Sequence, residues 1–351
     1  MTASSTLTLA LGLIIFSFLV TGTLIVPFID LLYKLKITRP KEAPKKGKIP
    51  LFDKLHDIKA GTPVGGGILI IAIVSICLSL LFPFASHMGV QIQSSFNLKI
   101  ELYLIFFTFL SFGILGLSDD LIKIFGKPKQ GAMGLWYGLT RRNKFVLQWI
   151  LGLFIGYILY QKMGIDFIHI PLVSININMG KLYIPFAAFV IVAFSNAFNI
   201  TDGLDGLATG LLVICLVAFG AIAAGSLDTP LSLFISLWIG ALLAFAYFNI
   251  WPARVHLGDV GSLSFGAMLG LIGLMTGSIV ALVVIGGIFV IEILSSIIQI
   301  MGWKIFHKPI FPLAPIHHTF LSIGWEEPKI VMRSWLVGII LAIFGLWLAT
   351  I

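Results

Sequence analysis

Three short segments of the 351-residue chain carry carboxylates and amides at spacings that suit phosphate and divalent-cation chemistry. The first is Gly116-Leu117-Ser118-Asp119-Asp120-Leu121-Ile122-Lys123. Adjacent carboxylates repel, and a cation or a raised pKa is the usual way to hold them together, so a divalent metal or a phosphate-handling site is one reading of Asp119 and Asp120. Lys123 follows Asp119 by four positions on the same helical face, and a solvated helix end with one ion pair is the other reading. In the second segment, Asn196, Asn199, Asp202 and Asp205 recur every third residue, with Gly203 and Gly206 interrupting the helix. A turn and a cap account for Asp202 and Gly203 but not for asparagines beside a long apolar run. The third runs from Asn249 through Pro252, His256 and Gly258 to Asp259 and Ser262. Asp259 stands near a helix start, where it is either a cap or a neighbour of backbone N–H groups that suit a phosphate. Hard oxygen donors in three separate loops, with no cysteine among them, suit magnesium held jointly with substrate phosphates.

Three further features stand apart from these. His317 and His318 are adjacent, so on a helix their side chains point about 100° apart and are poorly placed to share one metal; contacts to a phosphate or a sugar are the expectation. Lys59-Ala60-Gly61-Thr62-Pro63-Val64-Gly65-Gly66-Gly67 resembles a glycine-rich phosphate cradle but lacks the Lys-Ser/Thr ending of a P-loop. Glu292, Ser295, Ser296 and Gln299 follow i, i+3, i+4, i+7, a polar stripe that has to face protein rather than lipid.

The elements that must position these groups are membrane spans. Hydrophobic residues make up 58% of the chain and charged residues 11%, with a mean hydropathy of +1.06, which excludes a soluble globular protein. Cys77 and Cys215 lie inside apolar runs, so neither a disulfide framework nor a cysteine-ligated metal is expected. Apolar runs near the ~20 residues needed for a spanning helix fall at about 7–29, 65–84, 101–117, 145–162, 183–199, 206–225, 231–248, 263–277, 279–300 and 334–351. The eighth and ninth are separated only by the turn signal Thr276-Gly277-Ser278. Connections at 30–64, 118–144, 200–205, 249–262 and 301–333 hold 20 of the 23 Lys and Arg residues. That bias places them in the cytoplasm and both termini outside, and it explains the net charge of +8 without a nucleic-acid partner. The first run is too long for a signal-peptide core and reads as a retained span. Residues 166–183 alternate apolar and polar, with Gly180 as a turn signal, and read as a small external β-hairpin. The expected fold is an all-α polytopic membrane protein of ten transmembrane helices, forming one integral-membrane domain over residues 1–351.

Taken in order, KAGTPVGGG at 59–67, GLSDDLIK at 116–123, GLTRRNKF at 138–145, SNAFNITDGLDGLATG at 195–210, FNIWPARVHLGDVGSL at 248–263 and IFPLAPIHHTFLSIGWEEPKIVMRSW at 310–335 resemble the MraY family of phospho-N-acetylmuramoyl-pentapeptide transferases, within the polyprenyl-phosphate N-acetylhexosamine-1-phosphate transferases. The resemblance spans nearly the whole chain. It implies a ten-helix enzyme of the bacterial plasma membrane, usually a homodimer, with a cytoplasmic active site. The implied reaction transfers phospho-MurNAc-pentapeptide from its UDP carrier to undecaprenyl phosphate, giving lipid I and UMP, with magnesium as cofactor. By the same resemblance Asp259 ligates the metal and Asp119 and Asp120 lie at the reaction centre, Asp119 activating or orienting the lipid phosphate. Lys59, Asn196, Asn199, Asp202, Asp205 and Asn249 match nucleotide, diphosphate or supporting positions. Lys123 and Lys144 match phosphate contacts, and His317 and His318 match residues that hold the diphosphate-sugar.

Three positions depart from the family pattern. The usual third His and following Glu are missing after His317-His318, where Thr319, Phe320 and Leu321 stand; the aromatic residue expected against uracil is His256; and Gly65 replaces a usual Met. These changes leave a relative that transfers GlcNAc-1-phosphate or another hexosamine phosphate as the main alternative. A transporter is a second, although its polar sites belong near the membrane midplane, whereas these carboxylates map to the inner boundary. A catalytically dead scaffold is a third, against which the intact Asp119, Asp120, Asp202, Asp205 and Asp259 argue.

Overall fold

The computed structural model describes residues 3–39, 59–84, 92–126 and 139–351; several lysines of the first two basic connections, at 40–58 and 127–138, lie outside them. Among the described residues, ten helices are long and apolar enough to cross a membrane. In chain order the helices are α1 (Ala3–Lys34), α2 (Gly66–Leu81), α3 (Leu98–Phe125), α4 (Arg141–Met163), α5 (Tyr183–Thr201), α6 (Leu207–Gly225), α7 (Thr229–Asn249), α8 (Gly258–Met275), α9 (Ile279–Ile285), α10 (Gly287–Phe306), α11 (Ile316–Ser322) and α12 (Glu327–Thr350). Local chemistry marks their starts: Asn97 accepts hydrogen bonds from the N–H groups of Lys99 and Ile100 ahead of α3, Thr140 caps α4 through Asn143 N–H, and Asp228 caps α7 through Leu231 N–H.

The ninth span differs from its expected extent of 279–300. The chain turns at Gly277, makes only the seven-residue α9, breaks at Gly286 and then spans as α10. Seven residues rise about 10 Å, far short of a bilayer, and the Gly286-Gly287 pair is the break that the apolar composition concealed. The eighth span starts at Gly258 rather than 263, which puts Asp259 inside its first turn. The hairpin is present as β1 (Phe167–Ile170) paired antiparallel with β2 (Ile175–Asn178), Phe167 opposite Asn178 and Ile170 opposite Ile175. Its reversal falls at Pro171–Ser174, with Ser174 at φ 49°, and Gly180 opens a separate turn after β2.

The bundle is organised around α8, which is almost wholly buried and packs against α3 and α5. Lipid gives no hydrophobic drive between helices, so close backbone approach and interhelical hydrogen bonds hold them together. Ser264 Oγ donates to Phe109 O of α3 at 2.6 Å and Ser195 Oγ of α5 donates to Leu263 O at 2.9 Å. At Gly116 a Cβ would stand 2.1 Å from Asp259 O, so only glycine lets α3 reach the first turn of α8. Phe109, Phe234, Trp238 and Phe265 fill the centre with ring centroids 5.2–5.8 Å apart. The C-terminal ends of α3 and α5 and the N-terminal ends of α4, α8 and α12 meet at one end of the bundle; the hairpin joins α4 to α5 at the other.

Candidate active site

At that end, two carboxylates from different helices share two ammonium groups. Lys123 Nζ lies 2.9 Å from Asp119 Oδ2 and 2.8 Å from Asp259 Oδ2; Lys144 Nζ lies 2.9 Å and 2.5 Å from the same two oxygens. Asp119 is 2% exposed, and its other oxygen accepts from Leu139 N–H at 2.8 Å. Desolvating charges costs several kcal/mol each unless they are paired, and the equal count of two anions and two cations is what permits this cluster. Asn199, from α5, donates to Asp259 Oδ1 at 2.9 Å and to Ser262 Oγ at 2.6 Å, so the Asp259 carboxylate is fixed at both oxygens.

Asp120 takes a different position from its neighbour. Its Oδ2 accepts from Val260 N–H at 3.0 Å, so a carboxylate on α3 caps the start of α8 and meets the positive end of that helix. Gly258 holds φ +76°, and a Cβ there would lie 2.7 Å from Asp120 Oδ2. The adjacent pair expected from sequence is therefore split: Asp119 enters the ionic cluster and Asp120 positions the helix that presents Asp259.

A second cluster lies beside the first. Lys59 Nζ sits 2.6 Å from Asp205 Oδ1 and 2.5 Å from Glu327 Oε1, and donates to Gly203 O at 3.4 Å. Glu327 Oε1 also accepts from Asp205 N–H at 2.6 Å, and Asp205 Oδ2 accepts from Ala253 N–H at 2.9 Å. These bonds tie the Gly-rich segment, the α5–α6 loop, the α7–α8 loop and α12 into one wall. A cavity of about 550 Å³ opens against it, lined by Lys59, Gly203, Trp251, His318, Trp325 and Glu327 among others. Trp251 presents its ring 5.9 Å from Lys59 Nζ. Burial pushes the Asp202 carboxyl up to about 8; Arg39 and Lys59 work against the rise, and Asp259 and Asp205 add to it.

The histidines are buried rather than displayed. His317 Nδ1 pairs with Glu292 Oε2 at 2.8 Å, while His318 reaches the cavity wall; their rings lie 4.2 Å apart at 56°. Glu292 and Ser295 of the polar stripe hold α11, since Ser295 Oγ accepts from Ile316 N–H at 3.1 Å, and Gln299 bonds the backbone of Ile310 and Phe311. Thr319, where the third histidine is missing, donates to Leu313 O. His256 Nδ1 lies 4.0 Å from Asp205 Oδ1; burial holds its imidazole down at about 4, so it is neutral near pH 7. Its backbone O accepts from Gly65 and Gly66 N–H, which anchors the departing Gly65 position.

Two of the residues matched to nucleotide, diphosphate or supporting positions bond within the protein. Asn196 donates to Gln148 Oε1 at 2.7 Å and Val192 O at 2.8 Å, joining α5 to α4. Asn249, 2% exposed, accepts from Thr209 Oγ1 at 2.8 Å and donates to Val255 O at 3.0 Å, anchoring the α7–α8 loop from within. Glu327 was not singled out by sequence reading: at the start of α12 it reads as a helix-favouring acid, and its partner Lys59 is 268 positions away. Trp251 and Trp325 gave no stronger signal than interfacial aromatics.

For a divalent cation, the donor set fits. Asp119 and Asp259 offer carboxylate oxygens at one point, and the two ammonium groups there show that the point favours positive charge. No cage of three or more His, Cys, Asp or Glu side chains exists among the described residues.

Comparison with known proteins agrees with this arrangement. The family model described as Glycosyl transferase family 4 matches residues 102–277, half of the chain, including both carboxylates of the ionic cluster. A phospho-N-acetylmuramoyl-pentapeptide-transferase of Geobacillus sp. is 36% identical over 339 residues, covering 95% of this chain and 96% of the relative. The proteins of the same name from Halalkalibacterium halodurans and Clostridium perfringens (strain 13 / Type A) are 35% and 38% identical, over 95% and 91% of this chain and 96% and 92% of their own lengths. Identity at this level along almost the full length of both partners, on a ten-helix frame that gathers its carboxylates and lysines at one end, places the chain in the phospho-N-acetylmuramoyl-pentapeptide-transferase family.

Proposed function

We propose that this protein transfers phospho-N-acetylmuramoyl-pentapeptide from UDP-MurNAc-pentapeptide to undecaprenyl phosphate, releasing UMP and forming lipid I for peptidoglycan. The observation that carries this reading is the Asp119–Lys123–Lys144–Asp259 cluster beside the Lys59-lined cavity. In such a transfer an oxygen of the acceptor phosphate forms a bond to the sugar-bearing phosphorus as the bond to the UMP oxygen breaks. Little covalent work falls to the protein; alignment and charge neutralisation dominate. Lys123 and Lys144 supply mobile positive charge for the phosphates, and Asp119 aligns both ammonium groups. Lys59, fixed by two carboxylates and the indole of Trp251, faces the donor's diphosphate. Asp202 and Asp205 support that side, Asn199 orients Asp259, and His318 with the tethered His317 faces the sugar. Asp259, with Asp119, is the position for magnesium, which when bound supplies further neutralisation of the phosphate oxygens.

In this reading the site lies at the cytoplasmic face of a bacterial plasma membrane with both termini outside, an orientation that the lysine and arginine bias supports. A lipid-borne nucleophile requires a site at a membrane boundary, because its phosphate cannot leave it. A homodimer is part of the same reading. The test is UMP release by purified protein in detergent with magnesium and undecaprenyl phosphate, comparing UDP-MurNAc-pentapeptide with UDP-GlcNAc. Release with the muramyl donor alone supports the reading; release with UDP-GlcNAc alone, or with neither, overturns it.

A further inference from the structure

The mouth of the cavity carries a charge arrangement that the phosphate chemistry leaves unused. Trp325 is part of the cavity wall and stacks on Phe320 with centroids 4.9 Å apart. Arg333 Cζ lies 4.5 Å and Lys329 Nζ 4.9 Å from the centre of the same indole. Both cations are exposed, and among the described residues neither makes an ion pair with a carboxylate within 4.0 Å. Glu327 at the same helix end is committed to Lys59 and Asp205 N–H.

Like charges four residues apart on a helix repel, and long solvated side chains relieve this by separating. A membrane-anchoring Lys or Arg extends towards the lipid headgroups. Here two cations instead converge on one indole, held by cation–π attraction, with their N–H donors free to meet an anion. Glu326, which also lines the cavity, puts a negative charge next to Trp325. An anionic group that reaches Trp325 from the cavity meets the positive charge of Lys329 and Arg333 there.

We propose that Trp325, Lys329 and Arg333 form the subsite for the terminal carboxylate of the donor's peptide. This rests on the function proposed above. A peptide necessarily ends in a carboxylate, and five residues extend at most about 17 Å, enough to carry that carboxylate from a sugar inside the cavity to its mouth. The two cations held at the indole meet the end of the peptide.

The test uses the full chain in detergent and two donors, UDP-MurNAc-pentapeptide with a free terminal carboxylate and the same molecule as its terminal carboxamide. Losing two exposed charge contacts, K329Q/R333Q should raise the KM for the carboxylate donor about 2- to 30-fold while kcat moves less. Wild-type protein should show a similar rise on changing to the carboxamide, and the double variant should add nothing further to it. Equal loss with both donors, no change with either, or a rise confined to the KM of undecaprenyl phosphate, the mark of a lipid-surface role, would each overturn the subsite. R333Q alone, with its thermal unfolding compared with wild type, guards against a folding defect. Absence of turnover by the wild-type protein with either donor would instead count against the function itself.

Discussion

Replacing Glu327 with Gln tests whether the Lys59 cluster is a working part of the site. Glu327 Oε1 stands 2.5 Å from Lys59 Nζ and 2.6 Å from Asp205 N, with Glu327 only 10% exposed and Lys59 9%. A glutamine keeps the length and an oxygen that can still accept from Asp205 N–H, but it removes the negative charge. Lys59 then retains one carboxylate, Asp205 Oδ1 at 2.6 Å. Hydrogen bonds to charged groups contribute about 1.5–3 kcal/mol, and the remaining pair offsets part of the loss, so about 2 kcal/mol is the expected cost. Felt wholly in transition-state binding, this is roughly a 30-fold drop in kcat/KM. The assay is continuous UMP release at saturating undecaprenyl phosphate with varied donor. Glu327→Asp, about one methylene too short to reach Lys59 and Asp205 N–H together, should lose as much or more despite keeping its charge. If the Gln variant retains kcat/KM within about twofold of wild type while remaining monodisperse in detergent, Lys59 is not held for catalysis by Glu327 and the reasoning fails.

Three other outcomes are expected. Asp259→Ala should abolish turnover, because it removes the proposed magnesium position and leaves Lys123 and Lys144 with Asp119 as their remaining shared carboxylate; near-wild-type UMP release at saturating magnesium would remove Asp259 from that role. His256→Phe should tighten donor binding if the side chain faces the uracil, since a phenyl ring offers more stacking area than a neutral imidazole, and unchanged affinity in calorimetry would sink that placement. The pH dependence of stability should expose Asp202. Its folded pKa of about 8 lies above the unfolded value near 4, so the folded state retains a proton that the unfolded chain has lost and stability falls as pH rises towards 8. His256, lowered to about 4, acts in the opposite sense only up to its unfolded value near 6.5. Between pH 6.5 and 8 the Asp202 contribution is therefore unopposed by His256, and Asp202→Asn should show a flatter melting temperature across that window; an unchanged slope would refute the assignment.

Much of this protein is determined by sequence because a bilayer restricts what a chain can do. Ten apolar runs had to become ten helices, since lipid satisfies no backbone hydrogen bond. The turn at Gly277 was legible from its Thr276-Gly277-Ser278 signal. The break at Gly286 was not, because a Gly-Gly pair inside an apolar run is equally a tolerated close contact, and only the packing of α9 against α12 decides between them. The chemistry of the site was legible as residue types: carboxylates and lysines at a membrane boundary have to be paired, and Asp119, Asp259, Lys123 and Lys144 are. Which pairs form was not. Adjacent Asp119 and Asp120 point about 100° apart on α3, so one enters the ionic cluster and the other caps α8. Asn196 and Asn249 carry the same side chain as Asn199, yet they bond Gln148 and Thr209 while Asn199 bonds Asp259. An amide shows its chemistry in the sequence, but its partner depends on which helix lies opposite, and that is decided by tertiary structure alone. Glu327 is the clearest case: its distance from Lys59 along the chain conveys nothing, and its 2.5 Å contact exists only because α12 closes against the segment that leads into α2.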